Sequence, residues 1–255
     1  MTLAHQVTGA GPAVLLLHSS ACDRRMWGAQ VPGLVRSGHR VVTADFPGYG
    51  DTPPVAHPAD SENVLELLDE LGIESAVLIG ASYGGRIAHQ VAAAHPDRVR
   101  GLVLLCAGML GLEPSPGLIE LDEREQALLA AGELDKAAEL NAQSWLGPEA
   151  DDAAHALLRE MRTRSYTLQR KFDMVPDAPQ PGVESTEVDL AAIAAPTLVV
   201  SGTHDFEDFQ RIADLLAEGI RDAKHVVLSW AGHLPNMERP AEITALLVDF
   251  LAELN

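Results

Sequence analysis

Six short, almost uninterrupted apolar runs, residues 13–17, 40–44, 76–79, 101–106, 197–200 and 225–228, constrain this chain more than any other feature. A run of that length without polar alternation spares no face for water, so each reads as a strand covered on both sides. Between the runs lie stretches with helical spacing: 61–71, where Val64, Leu65, Leu67, Leu68 and Leu71 recur, 83–95, and a closing 240–254. Strand and helix in alternation predict an α/β chain built on a mostly parallel β-sheet flanked by helices. Ahead of the first buried run, residues 3–7 and the glycine-containing link 8–12 predict an antiparallel hairpin with 13–17.

The rhythm stops after Cys106 and resumes at Pro196-Thr197-Leu198-Val199-Val200. From about residue 112 to 190 there are helical patterns, 133–146 and 151–172 among them, but no buried strand. The proline-rich stretch from Pro176 to Gly182 cannot prolong a helix and reads as the return connection. The expected division is a core domain of residues 1–111 and 191–255 with an inserted helical cap at 112–190.

The strongest local signal is Gly80-Ala81-Ser82-Tyr83-Gly84, a G-x-S-x-G element between a buried strand and an amphipathic helix. A serine presented on so sharp a turn needs small neighbours, and Gly80 and Gly84 provide the clearance. Its position at a helix start also favours negative charge developing on an attacked carbonyl. A hydroxyl is a weak nucleophile at neutral pH, so a histidine base is required, and ten histidines must be sorted. His233, in Ala231-Gly232-His233-Leu234, follows the last apolar run and so lies on a loop at a strand's carboxyl end, where ligand crevices form. Asp205, on the loop closing the strand at 197–201, suits the acid that holds the base in one tautomer, with Asp208 as the fallback. The order Ser82, Asp205, His233 is the one expected of successive strand ends in such a sheet.

Composition excludes several other classes. The 18 Lys+Arg against 37 Asp+Glu give a formal charge of −19, which repels nucleic-acid backbones and anionic membrane surfaces. Cys22 and Cys106 stand far apart and outside any metal-ligand spacing, so neither a structural metal nor a disulfide framework is expected. Gly9-x-Gly11 leads into a strand rather than a helix, which argues against a nucleotide cofactor. The amino-terminal stretch lacks a basic segment and a cleavage signal, and the longest apolar stretch, 101–112, is too short to span a bilayer. The expectation is a cytoplasmic enzyme acting on a small molecule, with no nucleic-acid or membrane partner, no metal and no organic cofactor.

With these motifs in hand, the chain resembles the α/β-hydrolase superfamily over nearly its whole length. The resemblance is carried by His18-Ser19-Ser20, Asp45-Phe46-Pro47-Gly48-Tyr49-Gly50, Gly80 to Gly85, Gly202 to Asp205, and Gly232-His233 with Glu238-Arg239-Pro240. It implies the α/β-hydrolase fold and an oxyanion hole made of two backbone N–H groups, those of Ser20 and Tyr83. Ser19 occupies the position where the family has glycine, which leaves Ser19 as the other candidate for the first donor. His18 resembles the family's structural histidine, which holds that loop rather than moving protons. The resemblance further implies a serine-dependent hydrolase of a carboxylic ester, lactone or related carbonyl compound, working through an acyl-enzyme. C–C bond hydrolysis or lyase chemistry on the same triad, a cofactor-free oxygenase and a non-hydrolytic ligand receptor are the alternatives it carries.

Candidate pocket walls are Met26 and Trp27 after the oxyanion loop, Met109 and Leu110 at the cap entrance, and Trp145, Tyr166 and Phe172 within the cap. Each of these residue types is more often core than ligand contact. The basic cap residues Arg159, Arg162, Arg164, Arg170 and Lys171 suit either a substrate carboxylate or, as the better expectation, a solvated helix face.

Overall fold

A computed structural model of the chain describes residues 2–56, 59–173 and 188–254. Its seven strands are β1 (His5–Thr8), β2 (Ala13–Leu17), β3 (Arg40–Ala44), β4 (Ala76–Ala81), β5 (Val99–Leu105), β6 (Thr197–Gly202) and β7 (Ala223–Leu228). They form one sheet in the order β1-β3-β2-β4-β5-β6-β7, parallel throughout except for β1. Every residue of β2, β4 and β6 is buried, as the unbroken apolar runs require. Each large aliphatic side chain so buried contributes about 1.5–3 kcal/mol.

Side chains of one strand go to opposite faces, and β2 illustrates the result. Leu15 and Leu17 join an apolar cluster with Val64 and Leu67 of α2 (Asp60–Glu70), Ile87 and Val91 of α3 (Tyr83–Ala94), and Ile212 and Leu216 of α7 (Glu207–Gly219). Val14 and Leu16 join another with Leu34 of α1 (Val31–Arg36) and Leu247 and Leu251 of α9 (Pro240–Glu253). The sheet is thus covered on both sides, and a short α8 (Pro235–Glu238) leads into α9.

Two expectations are corrected. β1 pairs antiparallel with β3, His5 opposite Ala44, and not with β2 as a hairpin. β2 already gives one edge to β3 and the other to β4, so no ladder edge is left for β1. Gly9 and Gly11, at φ 81 and 113, carry the chain past it, and a Cβ on Gly11 would meet the Gly38 carbonyl oxygen at 2.1 Å. The second correction is β7, which forms the sheet's edge and leaves Val227 58% exposed instead of covered on both faces.

Between β5 and β6 lie three helices, α4 (Pro116–Ala130), α5 (Leu134–Trp145) and α6 (Asp152–Asp173). α4 is an addition to the two helices read from the sequence; its signal was Ser115-Pro116, with the Ser115 hydroxyl accepting from the Leu118 N–H at 3.3 Å. Ala137, Ala138 and Tyr166 form a small core within this segment, while Leu158 and Met161 of α6 join the larger cluster against the sheet. The expected return connection at 176–182 lies outside the described residues. No helix among the described residues is long and apolar enough to cross a membrane.

His89 on α3 is fully buried, faces the Gly108 carbonyl with Nε2 at 3.2 Å and has no partner for Nδ1 among the described residues. Burial depresses its pKa from 6.5 to about 4. Between those values the unfolded chain binds a proton that the folded chain refuses, so stability present above pH 6.5 is lost as the pH falls. At the foot of that window the loss from this one group is on the order of 3 kcal/mol. Urea midpoints measured from pH 7 to pH 4 are expected to fall less steeply for His89→Gln than for the wild type; equal slopes would refute this assignment.

Candidate active site

Ser82 joins β4 directly to α3 at φ 51 and ψ −113. Such a backbone costs about 1–3 kcal/mol and persists only where its surroundings hold it. Here the Ser82 N–H donates to the Leu105 carbonyl at 2.9 Å, and the Ser82 carbonyl accepts from Gly108 at 2.9 Å and from Arg86 at 3.0 Å. Crowding explains the glycines: a Cβ on Gly80 would lie 2.3 Å from the Gly84 oxygen, and one on Gly84 2.3 Å from the Leu17 oxygen. The serine therefore stands at the carboxyl end of a central strand with its hydroxyl free of hydrogen bonds among the described residues.

Asp205 and His233, from the loops after β6 and β7, meet at the same end of the sheet. His233 Nδ1–H donates to Asp205 Oδ2 at 2.7 Å, with side chains only 2% and 1% exposed. The other carboxylate oxygen accepts the Phe206 N–H at 2.8 Å, so the acid is held from both sides. With Nδ1 carrying the proton, Nε2 is the basic nitrogen. Asp208 serves the fold elsewhere, where its carboxylate accepts the Ser115 N–H at 2.7 Å and the Ser115 hydroxyl at 2.5 Å at the start of α4.

The His233 loop is fixed by groups to which the sequence reading gave no such role. Glu238 accepts the Gly232 N–H at 2.9 Å and the Leu234 N–H at 3.3 Å, and the His233 N–H donates to the Trp145 carbonyl at 3.0 Å. Burial raises the Glu238 pKa, opposed by these amide donors. The imidazole lies between Phe209, with ring centroids 4.1 Å apart, and Trp145, at 4.6 Å. Phe209 stands one turn after Asp205 on an amphipathic helix, where its periodicity could not distinguish a site-facing ring from a core ring.

On the loop after β2, His18 Nδ1–H donates to the Ser19 carbonyl at 2.8 Å, while Nε2 accepts the Phe46 N–H at 2.9 Å. Burial lowers its pKa, so it stays neutral and ties the loop down. The Ser19 N–H points to Met26 Sδ at 3.4 Å and the Ala21 N–H to the Ser19 hydroxyl at 3.2 Å. Among the described residues the Ser20 and Tyr83 amides have no acceptor, which leaves two N–H groups with unused hydrogen-bonding capacity.

Of the other side chains singled out, Trp145 is brought to His233, and Tyr166 lies in the core of the helical segment with its hydroxyl 2.6 Å from Glu125 Oε1. Trp27, a candidate wall from its place after the oxyanion loop, is fully buried in the core with Met26. Met109 and Leu110 are half-buried after Gly108, and the Phe172 side chain lies outside the described residues. A cavity of about 340 Å³ opens between α4 and Trp145, lined by Leu118, Leu121, Asp122 and Glu125 among others. Arg159, Arg164, Arg170 and Lys171 are exposed, the first two paired with Glu139 and Asp51. Arg162 alone of the group turns inward, onto Glu125 at 2.5 Å.

Ligand atoms of Cys106, Asp205 and His233 lie within 4.8 Å of one another, close enough to hold a metal ion. Their chemistry does not suit one: burial raises the Cys106 pKa far above its ordinary value, keeping the thiol protonated, and its Sγ–H donates to the Gly232 carbonyl at 3.6 Å. A metal would also have to break the Asp205–His233 bond.

The profile of the alpha/beta hydrolase fold matches residues 12–240. The 2-hydroxy-6-oxononadienedioate/2-hydroxy-6-oxononatrienedioate hydrolase of Cupriavidus pinatubonensis is 31% identical over 261 residues, covering 96% of this chain and 88% of that protein. Among solved structures, a hydrolase from Pseudomonas aeruginosa PA01 is 31% identical with a TM-score of 0.77, covering 98% of this chain and 94% of its own. An enol-lactonase from Burkholderia xenovorans LB400 is 26% identical with a TM-score of 0.79, covering 98% of this chain and 96% of its own.

Proposed function

The chain belongs to the alpha/beta hydrolase fold family and is a hydrolase, and from that premise we propose that Ser82 is its nucleophile, His233 its base and Asp205 the acid that orients the base. The observation that carries this reading is the 2.7 Å bond from His233 Nδ1 to Asp205 Oδ2 at the same end of the sheet as the strained serine. The substrate is a small-molecule ester, lactone or related carbonyl compound.

In this mechanism His233 Nε2 takes the hydroxyl proton as Ser82 Oγ bonds to the carbonyl carbon. The carbonyl oxygen becomes an oxyanion between the Ser20 and Tyr83 N–H groups, and the charge on imidazolium is balanced by Asp205. His233 then gives its proton to the leaving alkoxide, which departs as an alcohol and leaves the acyl-enzyme. Water, deprotonated by His233, attacks the acyl carbon, and Ser82 leaves with the proton returned to it, releasing the carboxylic acid. No step calls for a metal or an organic cofactor. The segment 112–190 acts as a cap over a core of 1–111 and 191–255, and Trp145 is the cap's pocket wall beside the base. Two buried thiols without a disulfide, Cys22 and Cys106, suit a reducing compartment such as the cytoplasm.

The likeness to the dienedioate hydrolase favours a second reading, hydrolytic C–C cleavage on the same residues. Labelling with a fluorophosphonate followed by intact mass tests the nucleophile: one adduct is expected on the wild type and none on Ser82→Ala. An unlabelled wild type, or a labelled Ser82→Ala, overturns the assignment. Turnover of a panel of acyl esters, lactones and vinylogous diketones then separates the two readings, while tight binding without turnover would mark a receptor and oxygen uptake an oxygenase.

A further inference from the structure

Arg162 lies on α6, 142 positions from Ser20, yet its Nη1 donates to the Ser20 carbonyl at 2.9 Å. Every remaining part of the guanidinium is held. Nη2 donates to Glu125 Oε1 at 2.5 Å, and Nε to the Tyr166 hydroxyl at 2.9 Å and Asn141 Oδ1 at 3.2 Å. The partners hold each other as well: the Tyr166 hydroxyl donates to Glu125 at 2.6 Å, and Asn141 Nδ2 donates to Tyr166 at 3.0 Å. Arg162 and Glu125 are 14% and 11% exposed, so the pair is shielded from solvent screening. Burial works against the Arg162 charge, but Glu125, Tyr166 and Tyr49 together outweigh it and the pKa rises, so the guanidinium stays charged. A planar fork clamped from α4, α5 and α6 is a rigid hydrogen-bond donor rather than a swinging one.

The same network reaches the base. Trp145 Nε1 donates to Asn141 Oδ1 at 3.0 Å, and Trp145 both packs on the His233 ring and accepts the His233 N–H through its carbonyl. The Ser20 loop needs such an anchor, because Ser19 has its amide and hydroxyl directed within the loop and nothing else among the described residues holds the Ser20 carbonyl.

We propose that Arg162 is a positioning residue for the oxyanion site: by holding the Ser20 carbonyl it fixes the backbone whose N–H receives the oxyanion formed at Ser82. The inference rests on Ser82 being the nucleophile. An oxyanion donor acts only if it sits within hydrogen-bond distance of the charge as it develops, and loss of one donor costs about 10²–10³ in kcat. Arg162 makes no contact with the reacting atoms, so its removal displaces the donor and leaves substrate binding largely intact.

The test separates this role from simple packing. Arg162→Met strands the Glu125 charge, so the informative variant is Arg162→Met with Glu125→Leu, in which neither charge remains and thermal stability is restored. In that double variant kcat is expected to stay about 100-fold down with KM within about threefold of wild type. Affinity for an alkylboronic acid, which mimics the tetrahedral intermediate on serine, should fall by a similar factor. Arg162→Lys, able to donate one bond to the Ser20 carbonyl, should recover part of the rate. If kcat and boronic-acid affinity return with stability in the double variant, the network is packing alone and the proposal fails. Fluorophosphonate labelling of the wild type distinguishes the two failures: a labelled wild type with an unimpaired double variant removes the Arg162 role, and an unlabelled one removes the Ser82 reading together with it.

Discussion

Replacing His233 by alanine is expected to lower kcat roughly 10⁴-fold or more on any ester the wild type hydrolyses, and the double variant Ser82→Ala/His233→Ala is expected to be no slower than either single one. In the proposed mechanism the two residues act on one proton, so removing either removes the same step. The structure makes this a sharp expectation, since His233 is buried between Phe209 and Trp145, shut off from bulk solvent. Steady-state kinetics of the three variants checks it. Additive losses, with the double variant slower by the product of the single effects, would mean that the serine and the histidine act in separate steps.

Asp205→Asn is expected to cost a similar factor, roughly 10⁴ in kcat, while the fold stays intact. The reason is specific to the bonding here. One carboxylate oxygen accepts the Phe206 N–H at 2.8 Å and the other accepts the His233 Nδ1–H at 2.7 Å. An asparagine keeps its oxygen on the Phe206 amide, which turns its NH₂ toward His233. Nδ1 must then become an acceptor, the proton moves to Nε2, and Nε2 can no longer receive one. Asp208→Asn is the matched control, because Asp208 serves the start of α4 through Ser115 and its loss falls on stability by about 1 kcal/mol. Should Asp208→Asn carry the large kinetic loss and Asp205→Asn a small one, the acid has been misassigned.

These expectations show where residue order was informative and where it was not. Gly80-Ala81-Ser82-Tyr83-Gly84 is legible because its requirements are local: a strained serine, and glycines whose Cβ atoms would strike backbone a few residues away or on the adjoining strand. His233 is legible as a loop residue after the last strand. The choice between Asp205 and Asp208 is not, since both sit at one helix start and only packing turns the first toward β7 and the second toward Ser115. Ser19 and Ser20 are likewise equivalent as neighbours along the chain; Met26 Sδ and the Ser19 hydroxyl decide which amides are taken. β1 was placed beside its chain neighbour β2, whereas the sheet gives it the open edge of β3.

What the sequence determined by itself is thus the parallel sheet, its helices and the turn at Ser82, because apolar periodicity and steric clearance act between residues close in the chain. Tertiary structure alone decided the surroundings of the site: Phe209 and Trp145 against His233, Trp27 withdrawn into the core, and Arg162 drawn onto Ser20 from 142 residues away. Such pairings depend on how helices are seated against the sheet. A buried polar group must be bonded to something, but only the packed fold decides to which partner.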